Sequence, residues 1–172
     1  MDSLSSPIGK NIVVYDLETK HSVGEAINSK KITWDDHDLM GISSLVIYDY
    51  LTSDYCVYLD DNMPEAVMRL NDADLVVGFN QVGFDEKVLA GIPLPIKVKN
   101  NYDLLYHGRL GMGWRDGDNY PSGCKLDDFL LATFGPKACK TGEGSLAPKL
   151  YQTGQMGRLI SYNIADVNRT KR

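Results

Sequence analysis

Apolar and polar positions follow a period of two in some segments of the chain, which predicts strands. Two short apolar runs rich in β-branched residues predict buried strands at 11–18 (NIVVYDLE) and at 75–79. The runs at 41–50 and 54–60 are separated only by a short polar stretch, so they predict an antiparallel hairpin that continues the sheet. A further short strand is predicted at 96–98.

Other segments repeat their apolar residues at the spacing of a helix. Helical segments are predicted at 64–70, 84–90, near 103–106, at 125–134, and from about residue 155 to the end. The last helix places its apolar side chains on one face: Met156, Leu159, Ile160, Ile164 and Val167. Stretches without a clear period predict loops at 19–40, 108–123 and 135–154. Strands early in the chain with helices interleaved later predict an α/β layered domain with a mixed β-sheet.

Length and composition place the chain among globular proteins. Its 172 residues suffice for a single domain, 43% are hydrophobic and 24% are charged. The N-terminus lacks a basic start and an apolar signal core, and no apolar run reaches membrane-spanning length, so we expect a cytoplasmic protein. The three cysteines are odd in number and show no metal-binding spacing, which predicts reduced thiols. No stop signal precedes Arg172, so the native protein could extend further.

Charge is divided unevenly along the chain. The net charge is −5, but residues 1–96 hold 6 Lys and Arg against 16 Asp and Glu, whereas residues 97–172 hold 12 against 7. One half therefore concentrates carboxylates, while the other could meet phosphates. Taken alone, the asymmetry is equally compatible with chance decoration of the surface.

Asp16 and Glu18 lie at the end of the first predicted strand. Residues two apart in a strand point to the same side, so the two carboxylates converge while Leu17 points away. Adjacent anions repel each other, and a divalent cation relieves that repulsion; oxygen ligands suit Mg²⁺ or Mn²⁺. Most isolated Asp-x-Glu pairs are simply solvated.

Two further segments carry candidate ligands. Asp85 begins the helix that follows the strand at 75–79, where a carboxylate also interacts favourably with the helix dipole. Tyr162 and Asp166 are four residues apart in the last helix, which places the phenol and the carboxylate on one face.

The three segments in this order resemble the DEDD superfamily of 3′–5′ exonucleases. The resemblance rests on Asp-x-Glu, then Asn-x3-Phe-Asp at 80–85, then Tyr-x3-Asp at 162–166, and it spans Val13 to Val167. It indicates the Tyr subtype, because Ser161 stands where the other subtype carries histidine. It also implies a ribonuclease-H-like fold, with residues 1–172 forming one exonuclease domain.

The resemblance implies a role for each motif residue. Asp16, Glu18, Asp85 and Asp166 would bind two divalent metal ions, Mg²⁺ or Mn²⁺, and Tyr162 would orient or deprotonate the attacking water. The residues implied to contact the substrate are Asn80, Phe84, Leu17 and Thr19. The partner would be DNA, as a single strand or a 3′ end, in preference to RNA; a protein partner is not indicated.

Aromatic and basic residues in the predicted loops could track a single strand. They are Arg109, Trp114, Arg115, Tyr120, Lys137, Lys140 and Lys149. Trp34, in the early loop, could be a packing anchor or another stacking platform. The alternative to an exonuclease is a non-catalytic or partner-dependent nucleic-acid-binding module on the same fold, although a pure binder gains nothing from anions near phosphate.

Overall fold

A five-stranded mixed sheet forms the centre of the protein, in a computed structural model that describes residues 10–139 and 146–172. The strands lie in the order β5-β4-β1-β6-β7, and β2 and β3 form a separate two-stranded ribbon. The strand bounds are β1 Ile12–Thr19, β2 Ala26–Ile27, β3 Lys30–Lys31, β4 Ile42–Asp49, β5 Asp54–Tyr58, β6 Leu75–Gly78 and β7 Asn101–Asp103. The helix bounds are α1 Met63–Asp72, α2 Asp85–Leu89, α3 Leu104–Gly111, α4 Leu126–Phe134, α5 Leu146–Gln152 and α6 Met156–Thr170.

Strand β1 is the central strand and sets the register of the sheet. It pairs antiparallel with β4 over most of its length, with an irregularity between Glu18 and Thr19. Its pairing with β6 is parallel and covers only Ile12 to Val14. Beyond Val14, the β6 side of β1 is therefore open to other parts of the chain. Asp16 and Glu18 lie in this part of β1.

Alternation along β1 divides the core between the two faces of the sheet. Val13, Tyr15 and Leu17 are buried on one face with the apolar side chains of α1 and α2. Val14 lies on the other face in a smaller cluster with Val167 of α6. Because Asp16 and Glu18 continue the Val14 face, the sequence alternation directs them toward the layer that contains α6.

Helix α6 is anchored to the sheet by apolar and polar contacts. Leu159 and Val167 are fully buried, as the helical pattern predicts. Asn163 is also fully buried, and its Nδ2 donates to the carbonyl oxygen of Ser44 at 3.2 Å and to the Ser44 hydroxyl at 2.9 Å. The amide therefore fixes the position of α6 relative to β4.

The structure confirms the main strands and helices and corrects four predictions. The predicted loop at 19–40 contains the β2–β3 ribbon and a short 3-10 helix at His37–Leu39. No strand forms at 96–98; the last strand of the described residues is β7, where Asn101–Asp103 pairs with β6. Helix α3 includes the first residues of the predicted loop at 108–123. Helix α5 lies near the end of the predicted loop at 135–154. The amphipathic pattern of α5 is too short to be separated from loop residues by periodicity alone.

Candidate active site

Three carboxylates from two elements meet at the end of β1. Asp16 and Glu18 of β1 and Asp166 of α6 each offer an oxygen, and these oxygens lie within 4.8 Å of one another. All three residues are partly buried. The sequence places the first two together, whereas the packing of α6 against β1 and β4 brings the third. Three hard oxygen donors in partial burial fit a divalent cation such as Mg²⁺ or Mn²⁺.

Asp85, the fourth predicted ligand, is not one of these three carboxylates; it is buried and faces the β1 backbone at Leu17. Its Oδ1 accepts a hydrogen bond from the Leu17 N–H at 3.2 Å, which is possible because β6 does not cover that part of β1. Burial raises the pKa of the Asp85 carboxyl from 3.8 to about 7. The hydrogen bond from the Leu17 N–H lowers this pKa, whereas the negative charges of Asp103 and Glu86 raise it further. A buried carboxylate that is this costly to ionise is typical of functional sites.

Asp166 is paired with a cation from its own helix. The Arg169 guanidinium, one turn further along α6, forms an ion pair with the Asp166 carboxylate, and both side chains are largely buried. Burial lowers the pKa of Arg169, while the nearby Asp127 and Asp16 charges raise it. The acidic group thus has a cationic neighbour that the sequence analysis did not single out; the i, i+3 spacing was the available signal.

Tyr162 lies one turn before Asp166 on α6. It is half-buried and packs against an apolar cluster of Ala147, Leu150 and Leu159, between α5 and α6. Helix α5, which the sequence analysis missed, therefore provides the surface that holds the Tyr162 ring.

A cavity of about 340 Å³ opens directly beside the acidic group. Glu18 lines it together with three of the four predicted substrate contacts, Leu17, Thr19 and Phe84. Trp34 also lines the cavity and is 66% exposed, so of its two suggested roles the structure favours a stacking platform over a packing anchor.

His21 follows Glu18 by three residues, in the predicted loop at 19–40, and lines the same cavity. Its Nδ1 lies 3.1 Å from Glu25 Oε2, and Gln152 of α5 donates to the same oxygen at 2.9 Å. A loop residue of this kind could not be placed from sequence, because the β2–β3 ribbon, which Glu25 directly precedes, was itself not predicted.

Asn80 does not share that cavity. It adopts a left-handed backbone conformation with φ of 62°, which asparagine tolerates better than most residues, and lines a second cavity on the other side of the 80–84 turn. Asp103, which sequence reasoning missed, holds this turn: its carboxylate accepts from the N–H groups of Asn80 at 2.9 Å and Val82 at 3.2 Å. The same carboxylate caps α3 through the Leu105 N–H at 2.9 Å.

The aromatic and basic residues predicted to track a strand have different surroundings. Trp114 is buried, while Arg115, Tyr120, Lys137 and Lys149 are exposed. Lys140 lies outside the described residues. Cys56, Cys124 and Cys139 are free thiols, as expected.

Comparison with known proteins gives a structural likeness without a sequence relative. No protein-family model matches the chain, and no curated protein matches it in sequence. The chain is similar to the solved structure of the family B DNA polymerase from the hyperthermophilic archaeon Pyrobaculum calidifontis, with a TM-score of 0.64 and 14% identity. The likeness covers 95% of this chain and 24% of that one, so the chain spans about a quarter of the polymerase.

This likeness and the mixed five-stranded sheet flanked by helices confirm the predicted ribonuclease-H-like α/β fold. Within residues 10–139 and 146–172, no helix has both the length and the apolar character to cross a membrane.

Proposed function

We propose that this protein is a metal-dependent 3′–5′ exonuclease of the Tyr-type DEDD superfamily that hydrolyses phosphodiester bonds at 3′ ends, with DNA preferred over RNA. One observation carries the proposal: Asp16, Glu18 and Asp166 converge within 4.8 Å beside a cavity that Glu18 itself lines. The likeness to a DNA polymerase supports a nucleic-acid substrate.

The four acidic residues divide into two groups by their surroundings. Asp16, Glu18 and Asp166 hold the metal, and Asp85 completes the ligand set from the buried side, where the Leu17 N–H orients its carboxylate. When bound, two divalent ions supply a nucleophile at neutral pH and stabilise charge on the leaving 3′-oxygen. The cations also offset the acidic charge of the chain, from −5 to −1 for two ions.

The remaining side chains position the substrate and the water. Leu17, Thr19 and Phe84 line the cavity beside Glu18 and contact the 3′-terminal nucleotide. The Tyr162 phenol, held against the α5–α6 cluster, orients the attacking water for in-line attack on the phosphorus. Water adds to the phosphorus of the terminal nucleotide as the bond from that phosphorus to the 3′-oxygen of the penultimate nucleotide breaks. The released 3′-oxygen takes a proton. The product is a nucleoside monophosphate.

Labelled oligonucleotides test the activity directly. A 5′-labelled strand should shorten stepwise, and a 3′-labelled strand should release labelled mononucleotide first, in Mg²⁺ or Mn²⁺. Single-stranded DNA, duplex DNA and RNA are compared to identify the substrate. No shortening of any of the three with either metal would refute the proposal, and would leave a non-catalytic binding module as the function.

Three variants separate the enzyme from a contaminant. Asp16→Ala should abolish the activity, and Tyr162→Phe should lower kcat about 100-fold while leaving metal binding intact. Asp61→Asn, which changes an exposed carboxylate outside the site, should retain full activity. Equal rates for Asp16→Ala and the unaltered protein would assign the hydrolysis to another protein.

A further inference from the structure

The second cavity, on the far side of the 80–84 turn, has a lining suited to a planar ligand. It encloses about 470 Å³. The residues that matter for its chemistry are Asn80, Tyr106, Arg109, Trp114, Asp116 and Tyr120. Neither the metal ligands nor Tyr162 is among its lining residues.

Three aromatic rings build one wall of this cavity. Trp114 is 9% exposed and fixed by a hydrogen bond of 3.1 Å from its Nε1 to the Asp118 carbonyl oxygen. The Tyr106 ring meets Trp114 edge-on at 5.9 Å, and the Tyr120 ring lies tilted at 5.6 Å. Tyr106 is 40% exposed and Tyr120 is 67% exposed. The two tyrosine rings therefore pack against a fixed Trp114 indole and remain accessible to a ligand.

Arg109 adds a planar cation to the aromatic wall. Its guanidinium lies over one face of the Tyr120 ring, 3.8 Å from the ring centre, and this cation–π contact holds the ring at the cavity wall. The Nε–H of Arg109 is buried and has no acceptor among the described residues. This N–H is shielded from the cavity, so the contribution of Arg109 to a ligand site is its guanidinium plane at the Tyr120 ring.

The charges in the lining favour a neutral ring over a phosphate. The Asp103 carboxylate is occupied by backbone N–H groups of the 80–84 turn and of α3, and Asp116 offsets the single charge of Arg109. Such a lining offers no net positive charge to a phosphate, whereas the exposed rings of Tyr106 and Tyr120 suit a nucleobase.

The position of the cavity connects it with the acidic site. Phe84, at one end of the 80–84 turn, lines the cavity beside Glu18, while Asn80, Val82 and Gly83 line the aromatic cavity. We propose that the aromatic cavity stacks a nucleobase of the single-stranded substrate on the 5′ side of the hydrolysed bond, so that the strand crosses the turn between the two cavities. This inference rests on the proposed exonuclease function.

The protein's own tryptophans make the proposal measurable. Trp34 and Trp114 are the two tryptophans of the chain, so Trp34→Phe leaves Trp114 as the single reporter, inside the cavity. Emission is recorded while a fluorescein-labelled single-stranded oligothymidylate is added in EDTA, where metal-dependent hydrolysis does not occur. The anisotropy of the label reports total binding in the same titration. We expect saturable quenching of Trp114 with the same Kd as the anisotropy change.

A second variant and a matched control identify the stacking ring. Tyr120→Ala should weaken binding about tenfold, as expected for the loss of one base–aromatic stack. Phe134→Ala removes another exposed aromatic ring, 52% exposed and outside the cavity, and should leave the Kd unchanged.

The outcomes separate this proposal from the exonuclease proposal. Binding without quenching of Trp114, no binding, or an unchanged Kd in Tyr120→Ala would each overturn the aromatic subsite, even if the protein shortens oligonucleotides in Mg²⁺. Quenching with the predicted Tyr120 dependence in a protein that shows no hydrolysis would support the subsite and refute the exonuclease.

Discussion

Replacing Asp85 with asparagine removes a charge that folding makes costly, while nearly preserving the shape of the side chain. The carboxyl is 5% exposed, and its Oδ1 accepts the Leu17 N–H at 3.2 Å. An asparagine oxygen can accept the same hydrogen bond, so the change alters charge much more than packing. In the absence of metal, Asp85→Asn should therefore stabilise the protein above neutral pH.

The size of the effect follows from the two pKa values. Burial raises the pKa of Asp85 from 3.8 to about 7, so the unfolded chain releases this proton at lower pH than the folded protein does. Below the pKa of the unfolded chain, 3.8, the carboxyl is protonated in both states and its contribution to the free energy of unfolding is fully present. That contribution is lost as the pH rises through the pKa of the folded protein, about 7. With about 1.4 kcal/mol for each pH unit between the two values, the total loss is on the order of 4 kcal/mol.

Urea denaturation in EDTA measures this difference. At about pH 4 the two proteins should unfold with nearly equal free energies, and by about pH 8 Asp85→Asn should be more stable by a few kcal/mol. In a chain of this length, that corresponds to a melting temperature higher by roughly 10 °C. Adding Mn²⁺ should stabilise the unaltered protein and have much less effect on Asp85→Asn, because a metal bound only to the folded state contributes its binding free energy.

Asp61→Asn is the matched control, since it removes an exposed carboxylate and should show no comparable dependence on pH. The reasoning fails if Asp85→Asn is no more stable than the unaltered protein at about pH 8, or if the difference between them is the same at every pH.

Two other substitutions probe the contacts of α6. Arg169→Gln removes the cation that is paired with Asp166. A divalent ion about 6 Å from a guanidinium is repelled by about 1.4 kcal/mol even in a water-like dielectric. Without that repulsion, Mn²⁺ should bind to the variant about tenfold more tightly than to the unaltered protein. Electron paramagnetic resonance of free Mn²⁺ measures this, with the exposed Arg158→Gln on the same helix as control, and weaker binding would contradict it. Asn163→Ala leaves the buried Ser44 carbonyl and hydroxyl without their donor and should cost about 2–4 kcal/mol in urea denaturation. The exposed Ser161→Ala should change stability by less than about 0.5 kcal/mol, and equal losses in both variants would refute the role of Asn163.

Local patterns in the sequence determined much of the fold and part of the site. The alternation of β1 alone predicts that Asp16 and Glu18 share one side while Leu17 faces the other, because residues two apart in a strand point the same way. Helical periodicity likewise predicts the one-sided burial of α6 and places Tyr162 one turn before Asp166. These predictions depend on residues close in sequence, which share one regular backbone conformation.

Only the tertiary structure decided how separate segments meet. The packing of α6 on β1 and β4 brings Asp166 to Asp16 and Glu18, and the short pairing of β6 leaves the Leu17 N–H to Asp85. The Asp103 carboxylate that holds the 80–84 turn and the two separate cavities have no signal in any single segment. Strand pairing, helix packing and burial set them, because they depend on residues far apart in the chain and not on local periodicity.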